Sequence, residues 1–403
     1  MLTPGQLTAI QRTVPILQEH GEALTRHFYQ RMFQHNPEVR GFFNPAHQHS
    51  GQQQRALAGA ICAYAQHIND PSALAGAVEL IAQKHVSLGI RPEHYPIVGE
   101  NLLASIREVL GLAEDDPILD AWAVAYGALA DLFIQREAAI YQEQRERAGW
   151  NGFKRFVVSR REAASDNIVS LYLKPADDAP LPAHRAGQYV TLRVVLPGGE
   201  AIMRNYSLSN EPGADCYRIS VKREGGEGTP PGVCSHHLHE RVRVGDRVEV
   251  SPPCGDFTLA APGARPLVLI AGGVGITPIL SMAHEALAAA PERTVWLIQG
   301  ALNGLVHPFA DEIAQLKRRY PGLRVHVRYS EPLPEDRLNA AHDGEGLIDE
   351  ALLDELLGRE KAEYYFCGPT PMLRHLCRLL ARRGVPPEDI HYEFFGPAQS
   401  LAA

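Results

Sequence analysis

The sequence predicts a multidomain protein in which an all-α domain is followed by an antiparallel β-barrel and then by a doubly wound α/β domain. Three observations predict this order. Apolar residues recur at helical spacing through residues 1–148. Short β-branched segments separated by glycine and proline turns fill residues 152–262. Strand-like and helical segments alternate over residues 265–403, which is typical of a parallel sheet covered by helices.

The helical domain contains two apolar stripes with steps of three and four residues. The first consists of Leu74, Val78, Ile81, His85 and Leu88, and the second of Trp122, Tyr126, Leu129, Phe133, Glu137 and Ile140. Breaks between helices are predicted at Pro37, Pro45, Pro71, Pro92 and Pro117. A single histidine on such a stripe is more often an ordinary core residue. The carboxylate on the other stripe is informative, because an ionised group in a core is costly without a partner.

The two remaining domains are predicted from their strands. The barrel strands are predicted at residues 156–158, 168–173, 189–195, 217–221 and 247–250. The parallel strands are predicted at residues 267–270, 294–298, 324–327 and 363–366.

Composition restricts the class of protein. The chain has 403 residues, of which 45% are hydrophobic and 21% charged, so it contains enough apolar material for two or three cores. Its net charge of −8 argues against a nucleic-acid-binding protein. The six cysteines form no CxxC pair, which favours a reducing compartment. No secretory signal and no run of about 18 apolar residues is visible, so we expect a cytoplasmic protein without a membrane span.

A glycine-rich loop is the first chemical motif of the reductase half. The apolar segment 267–270 leads into a loop and then a helix. Glycines let the backbone approach a pyrophosphate, and the helix N-terminus supplies N–H groups and positive potential. Taken alone, such a loop is as often an ordinary turn. The residues assigned to it are Gly273, Val274, Gly275, Ile276, Thr277 and Pro278.

Four further motifs accompany the loop, and each alone is weak. A strand carries Arg204, Asn205, Tyr206 and Ser207, and an earlier strand begins at Tyr189. A predicted helix starts within Gly232, Val233, Cys234 and Ser235. The last parallel strand ends at Cys367, Gly368 and Pro369, and the C-terminal segment contains Glu393, Phe394, Phe395, Gly396 and Pro397.

In this order and spacing the motifs resemble the FAD- and NAD(P)-binding reductases of the ferredoxin-reductase type. The resemblance implies that Tyr206 covers the flavin ring, Arg204 pairs with the FAD pyrophosphate and Tyr189 adds a second aromatic contact. It further implies that residues 232–235 bind flavin phosphate, that the Cys367 loop lies near the nicotinamide, and that an aromatic of residues 394–397 stacks on the flavin. The family usually has glutamine at the position of Asn205.

The helical half resembles the globin half of flavohemoglobins, and the combined resemblance covers essentially the whole chain. It is carried by residues 42–44, 51–54, 82–85, 95–100 and 136–138. It implies haem b with His85 as the proximal iron ligand, and Tyr95 and Glu137 on its far ring nitrogen. The remaining implied site residues are Tyr29 and Gln53 on the distal side, Phe43 and Leu57 against the haem, and Lys84 and Glu393 across the haem–flavin gap.

The activity implied by this family is nitric oxide dioxygenation. Electrons would pass from NADH or NADPH through FAD to haem, and haem-bound oxygen would convert nitric oxide to nitrate. Two alternatives stay open: an oxygen or nitric oxide sensor or carrier, and a general reductase of quinone, ferric or hydroperoxide acceptors. We expect a monomer whose partners are the small molecules oxygen and nitric oxide. The segment after residue 298 contains no arginine pair that could bind the 2′-phosphate of NADPH, which favours NADH.

Overall fold

The computed structural model describes residues 2–44, 48–226, 231–260, 263, 265–358 and 360–396. The predicted class is confirmed: a helical region is followed by a six-stranded antiparallel sheet and a six-stranded parallel sheet. The chain forms two compact units. The first holds the helical domain up to Phe153 with the segment Arg193–Arg204, and the second holds Lys154–Leu192 and Asn205–Phe395. The domain limits 1–148, 152–262 and 265–403 stay predictions.

Five α-helices of the helical domain have both ends within the described residues. They are α1 (Pro4–His35), α2 (Gln52–Gln66), α3 (Ala75–Leu88), α4 (Tyr95–Leu110) and α5 (Pro117–Ala148). Short 3₁₀ turns at Pro37–Phe42, Pro71–Leu74 and Pro92–His94 fall at predicted breaks. The predicted break at Pro45 lies outside the described residues. Helix α1 begins with a capping box between Thr3 and Gln6, and it continues through Pro15 while packing on α2, α4 and α5.

Helix α5 is the one helix in the described part of the chain that is long and apolar enough to cross a membrane by length and composition. An 18-residue window within it has a mean hydropathy of 1.4. This helix contains no uninterrupted run of about 18 apolar residues, because charged residues such as Asp131 and Arg136 interrupt its sequence. It packs against α1, α3 and α4 and contains the buried Glu137, as the core helix of a globular domain does.

The antiparallel sheet has the strand order β4-β3-β6-β1-β2-β5. Its strands are β1 (Lys154–Ser165), β2 (Ile168–Pro175), β3 (Tyr189–Val195), β4 (Ala201–Ser207), β5 (Tyr217–Lys222) and β6 (Arg247–Val250). An additional bridge joins Leu208, just after β4, to Ile219 of β5, so the two edge strands meet. This contact brings the two ends of the sheet together, as in the predicted barrel. Helix α6 (Val233–Glu240) follows the barrel strand β5.

The parallel sheet has the order β10-β9-β8-β7-β11-β12, with β7 and β11 adjacent in its interior. Its strands are β7 (Leu267–Gly272), β8 (Val295–Ala301), β9 (Leu323–Tyr329), β10 (Gly344–Glu345), β11 (Glu363–Cys367) and β12 (Ile390–Glu393). Its helices are α7 (Ile276–Ala289), α8 (Ala310–Arg319), α9 (Pro334–Leu338), α10 (Glu350–Leu357) and α11 (Thr370–Arg382). Because β7 and β11 are parallel neighbours, the loops that follow them meet at the carboxyl edge, where ligands bind in such sheets.

The contacts of the Glu312 carboxylate in α8 with Arg218 and His284 can be tested by the pH dependence of stability. Burial alone would raise the pKa of Glu312, but hydrogen bonds with His284 and Arg218 outweigh it and lower the pKa to about 2. The stability that Glu312 contributes is therefore present above its ordinary pKa of 4.5 and is lost as the pH falls towards 2. We expect the melting-temperature difference between wild type and Glu312→Gln to shrink from pH 6 to pH 3, followed by circular dichroism. A difference independent of pH would contradict this assignment.

Candidate functional site

A histidine, a carboxylate and a phenol converge inside the helical domain. His85 Nδ1 lies 2.8 Å from Glu137 Oε1, and the Tyr95 hydroxyl donates to the same oxygen over 2.6 Å. Glu137 is 2% exposed, so its carboxylate depends on these two groups. Burial is the larger cause that raises the pKa of Tyr95 far above its usual value, and the nearby Glu137 carboxylate raises it further. The phenol therefore stays a hydrogen-bond donor. Three helices are thereby joined at one oxygen atom.

Two residues that sequence reasoning did not assign to the site support this cluster. The Tyr126 hydroxyl donates to the backbone oxygen of Tyr95 over 2.6 Å, and Phe133 packs against the imidazole of His85 at 5.7 Å between ring centroids. A Cβ atom on Gly99 would lie 2.6 Å from the Tyr126 ring, so this glycine makes room for the tyrosine. Tyr126 and Phe133 belong to the same apolar stripe as Glu137, and that shared face could have identified them.

An ion pair joins two of the three helices that carry His85, Tyr95 and Glu137, which together form the proximal cluster. Arg136 of α5 makes a two-pronged contact with Glu79 of α3, with nitrogen–oxygen distances of 2.6 and 2.9 Å. Gln83 donates to the same carboxylate over 2.8 Å. Arg136 and Glu137 are consecutive, so this contact holds α5 and α3 in the register that pairs Glu137 with His85. No local sequence pattern predicts this ion pair, because the two partners lie on different helices.

The predicted distal residues also come together. Tyr29 is 5% exposed and its ring packs edge-on against Phe43, with centroids 5.5 Å apart. Burial raises the pKa of Tyr29 strongly, and a hydrogen bond with Gln53 opposes that rise only in part. The phenol therefore keeps its proton. Leu57, one helical turn after Gln53, is half-buried against the same core. All four predicted distal residues thus belong to one cluster of α1, α2 and the segment before α2.

The geometry of His85 fits a haem ligand. Its Nδ1 atom is occupied by Glu137 and Tyr95, whereas Nε2 has no hydrogen-bond partner among the residues that the structure describes. The side chain is 34% exposed although its ring lies on an apolar stripe. A carboxylate that accepts from Nδ1–H leaves the lone pair on Nε2, which is the arrangement found in metal-bound histidines. The residues present therefore suit an iron ligand supplied from the α3 side.

Two of the predicted flavin contacts of the second unit, Tyr206 and Cys234, are adjacent to each other. The Tyr206 hydroxyl lies 3.5 Å from Cys234 Sγ, which connects the strand motif to the first turn of α6. The ring of Tyr189 packs beside Gly255, where a Cβ atom would lie 3.0 Å from the ring. Gly187 has φ +96°, and a side chain there would collide with the backbone oxygen of Phe257. The sharp approach to Tyr189 therefore requires glycine.

The other residues of these two motifs have definite partners. Asn205 accepts a hydrogen bond of 2.8 Å from Thr191 on the neighbouring strand, and Ser207 is buried. Arg204 donates to the backbone oxygen of Met203 over 2.6 Å and to Asn44, a member of the same compact unit, over 3.0 Å. The Ser235 hydroxyl is used locally: it donates to the Gly232 oxygen and accepts from the Glu224 amide. Of residues 232–235, the backbone amides of the first helical turn remain the groups suited to phosphate.

The glycine loop and the Cys367 loop meet as the sheet order requires. A Cβ atom on Gly275 would lie 2.2 Å from the Cys367 backbone oxygen, so only glycine permits this approach. A Cβ atom on Gly272 or on Gly368 would collide with the Met372 side chain, at 2.7 Å from its sulfur and 2.4 Å from its terminal methyl carbon. The Thr277 hydroxyl donates to the Val274 oxygen over 2.9 Å and stabilises the turn into α7. Ile276 and Pro278 are buried in that first turn, whereas Gly273, with φ +54°, faces open space.

The predicted C-terminal site residues make different contacts from one another. Glu393 ends β12 and pairs in register with Cys367, and burial together with this carboxylate raises the pKa of the thiol well above its usual range. Phe394 packs against the sheet core, and Phe395 is 42% exposed. Within the first unit, Lys84 donates to the backbone oxygen of Gly396 over 2.6 Å. The predicted contact of Pro397 lies outside the described residues.

Three family models match consecutive parts of the chain. The globin family matches residues 26–132, the oxidoreductase FAD-binding domain matches residues 155–259, and the oxidoreductase NAD-binding domain matches residues 269–378. Haem, FAD and a nicotinamide nucleotide are accordingly the cofactors of this chain. The chain is an NAD(P)H-dependent oxidoreductase with a globin domain.

Relatives of known name match over the full length. A flavohemoprotein of Rhodopirellula baltica is 48% identical, with 100% of both chains covered. One from Bordetella pertussis is 49% identical over 98% of this chain and 99% of the relative, and one from Halalkalibacterium halodurans is 47% identical over 98% and 97%.

Solved structures agree with these relatives. A flavohemoglobin from Malassezia yamatoensis, solved with bound FAD and haem, superposes with a TM-score of 0.85 at 28% identity, covering 98% of this chain and 100% of that one. The FAD/NAD-binding domain of a nitric oxide dioxygenase from Vibrio cholerae covers 60% of this chain and 99% of its own, with a TM-score of 0.55 and 35% identity. The chain belongs to the flavohemoprotein family.

Proposed function

We propose that this flavohemoprotein is a nitric oxide dioxygenase, which uses NAD(P)H and oxygen to convert nitric oxide to nitrate. The observation that carries the proposal is the 2.8 Å contact between His85 Nδ1 and the buried Glu137 carboxylate. A carboxylate at this position makes an imidazole ligand more basic, which suits oxygen chemistry rather than storage. The likeness to the reductase domain of a Vibrio cholerae nitric oxide dioxygenase supports the same activity.

The bound cofactors would supply the redox chemistry: the flavin splits a two-electron hydride into single electrons, and the haem iron is where oxygen and nitric oxide react. The chain's own residues control the surroundings of that iron. On the proximal side, the hydroxyl of Tyr95 donates to Glu137 Oε1, and this bond keeps that oxygen directed at His85 Nδ1. This arrangement orients the imidazole through the hydrogen bond of its far nitrogen.

On the distal side we assign Tyr29 as the hydrogen-bond donor to oxygen. Its high pKa keeps the phenol protonated, and Gln53 holds the hydroxyl in place. A fixed donor stabilises negative charge that develops on oxygen without reorganising during the reaction. Phe43 packs against the Tyr29 ring and restricts its rotation, and Leu57 adds apolar volume beside Gln53.

Removal of the distal donor is expected to weaken oxygen retention. Tyr29→Phe keeps the ring but removes a hydrogen bond to a charged acceptor, which is worth roughly 1.5–3 kcal/mol. We expect oxygen to dissociate about 10- to 100-fold faster, with lower turnover at limiting oxygen and unchanged reduction of flavin by NADH. Rapid-mixing absorbance measures each rate. Tyr64→Phe is the matched control, since Tyr64 is buried in the same domain and donates to the Ala125 oxygen. Equal effects in both variants would contradict the assignment.

The proposed function itself is tested with a nitric oxide electrode. The purified protein is expected to consume nitric oxide only when oxygen and NADH or NADPH are both present, and to form nitrate in equal amount. Consumption that is as fast without oxygen, or consumption without nitrate, would rule out dioxygenation. Faster turnover with quinone, ferric or hydroperoxide acceptors than with nitric oxide would instead identify a general reductase.

Arg204 is proposed to bind the FAD pyrophosphate. A charge-assisted contact of this kind is worth roughly 1.5–3 kcal/mol, so Arg204→Ala is expected to weaken FAD about 10- to 100-fold. Flavin fluorescence during dialysis against decreasing FAD concentrations measures the loss. Arg247→Ala is the control, because Arg247 is an exposed arginine on another strand of the same barrel. Unchanged FAD affinity in Arg204→Ala would remove this residue from the flavin site.

A further inference from the structure

A buried ion cluster connects the barrel and the α/β domain within the second compact unit. The Arg218 guanidinium of β5 donates to both oxygens of Glu312 in α8, over 2.7 and 3.0 Å. His284 Nε2 of α7 lies 2.8 Å from the same carboxylate. The Arg218 side chain is only 7% exposed. The Glu312 carboxylate thus makes hydrogen bonds with a residue of a barrel strand and with a residue of the helix that follows the glycine loop.

The guanidinium of Arg218 is held in one orientation. Its Nε donates to the Ser209 hydroxyl over 3.0 Å, and Nη2 also donates to the Ser209 backbone oxygen. The ring of Phe309 lies 4.9 Å from the guanidinium carbon. A buried ion pair is weak evidence for stability, because its desolvation opposes its attraction. Such a pair does impose a strict geometry. If the partners separate, each leaves an uncompensated charge in the interior, which costs much more free energy than the separation of two apolar side chains.

Helix α7 makes further polar contacts with the barrel along its length. The Ser281 hydroxyl donates to the Asn210 backbone oxygen over 2.8 Å and lies 3.2 Å from His184 Nε2. Glu285 accepts a hydrogen bond of 2.9 Å from the backbone amide of Ala186. The residues after Ala186 are Gly187 and Gln188, which lead directly into Tyr189. The barrel segment that carries a proposed flavin contact is therefore bonded to the helix that begins at the proposed dinucleotide loop.

We infer that Arg218, Glu312 and His284 are positioning residues that fix helix α7 against the flavin-bearing barrel and so set the distance between nicotinamide and flavin. The inference rests on the cofactor positions proposed above and not on the reaction with nitric oxide. When bound, the dihydronicotinamide would supply a hydride, which carries both electrons of its broken C–H bond, and the flavin would accept that hydride in a new N–H bond and become reduced. Such transfer needs the reacting atoms about 3–3.5 Å apart, and a displacement of 1 Å costs about 100-fold in rate. None of the three residues needs to touch either cofactor.

A second two-pronged arginine–carboxylate pair in the same unit serves as a matched control. Arg265 contacts both oxygens of Asp389, each over 2.7 Å. This pair lies at the amino ends of β7 and β12, away from the carboxyl edge where the two loops meet. The two pairs match in contact geometry but not in burial, because the Arg265 side chain is 44% exposed and that of Arg218 is 7% exposed. Of the two pairs, the Arg218–Glu312 pair is the one whose carboxylate also contacts α7, through His284.

The experiment mixes full-length, flavin-loaded protein with NADH in the absence of oxygen and follows flavin absorbance. Glu312→Gln and Arg218→Lys are expected to slow flavin reduction at least 10-fold and to weaken the long-wavelength charge-transfer band between nicotinamide and flavin. The dissociation constant of NADH should change less than 3-fold, because the binding loop is retained. Asp389→Asn and Arg265→Lys should lower the melting temperature less, because Arg265 is 44% exposed, and should alter flavin reduction less than 2-fold.

A milder variant covers the case in which the ion-pair variants do not fold. His284→Asn leaves the Arg218–Glu312 pair intact, and we expect it to slow flavin reduction about 3-fold and to increase amide hydrogen exchange in residues 184–189 of the unliganded protein. Wild-type rates and a wild-type charge-transfer band in the folded variants would overturn the inference, as would equal slowing in the Asp389→Asn control. None of these readouts involves nitric oxide, so failure of the proposed dioxygenase activity would be seen separately.

Discussion

His85→Ala is expected to leave the protein without stoichiometric haem while FAD stays bound. Among the described residues His85 is the imidazole whose Nδ1 is held by a buried carboxylate and whose Nε2 lacks a partner. Removal of the sole proposed protein ligand to iron leaves only packing to retain the porphyrin. The flavin contacts are proposed on other elements, so the visible flavin absorbance should persist after the Soret band is lost. The ratio of these two absorbances in the purified variant measures the effect.

The control for this variant is His27→Ala. His27 is as exposed as His85, at 35% against 34%, and it bonds to Ser105 and Glu108 within the same helical domain. It should therefore report any general cost of removing a half-buried histidine. Full haem content in His85→Ala, or an equal loss in His27→Ala, would exclude His85 as the iron ligand.

Glu137→Gln is expected to retain haem but to slow turnover with nitric oxide about 10- to 100-fold, the usual cost of losing such a partner of a metal ligand. The amide oxygen can still accept from Tyr95 and from His85 Nδ1, so the cluster keeps its shape. The negative charge is lost, however, and the imidazole becomes a weaker electron donor to iron. The reduction potential of the haem should therefore rise. Spectroelectrochemical titration of the purified protein measures that change independently of turnover.

Glu143→Gln is the comparison for this variant. Glu143 lies on the same helix and is an exposed partner of Arg136, so it changes the charge of α5 without touching the histidine. It should leave both the potential and the turnover unchanged. If Glu137→Gln behaves in the same way, Glu137 is a packing residue, and the main support for the dioxygenase proposal is lost.

Arg136 explains why the proximal cluster depends on more than its three members. The ion pair with Glu79 joins α5 to α3 at the residue next to Glu137. A register shift of one residue would turn Glu137 away from His85 by about 100° around the helix axis. The sequence pattern identified His85 and Glu137 on core stripes, but it contained no information on the rotation of one helix against the other. Packing of side chains from both helices decides that rotation.

The reductase half shows the same division between local and distant information. The strand and helix that flank the glycine loop were predictable, because they are local patterns of apolar residues and glycine. The approach of Gly275 to Cys367 was not predicted, because it depends on the strand order, which makes β7 and β11 parallel neighbours and brings the loops after them to one edge. The partner of Arg204 was not predictable. Its contact with Asn44 joins residues 160 positions apart, and no periodicity in either segment indicates it.

The sequence by itself determined the fold class and the order of the domains in this protein, whereas the roles of the candidate site residues came from a family resemblance and stay predictions. The fold class and the domain order follow from short-range features: helical and strand periodicity, glycines that allow close backbone approach, and motifs in a fixed order. Only the tertiary structure decided which polar groups meet. His85 and Glu137 are 52 residues apart, and Arg218 and Glu312 are 94 residues apart. Such contacts depend on how helices and strands rotate and pack against each other, because a hydrogen bond tolerates errors of only a few tenths of an ångström.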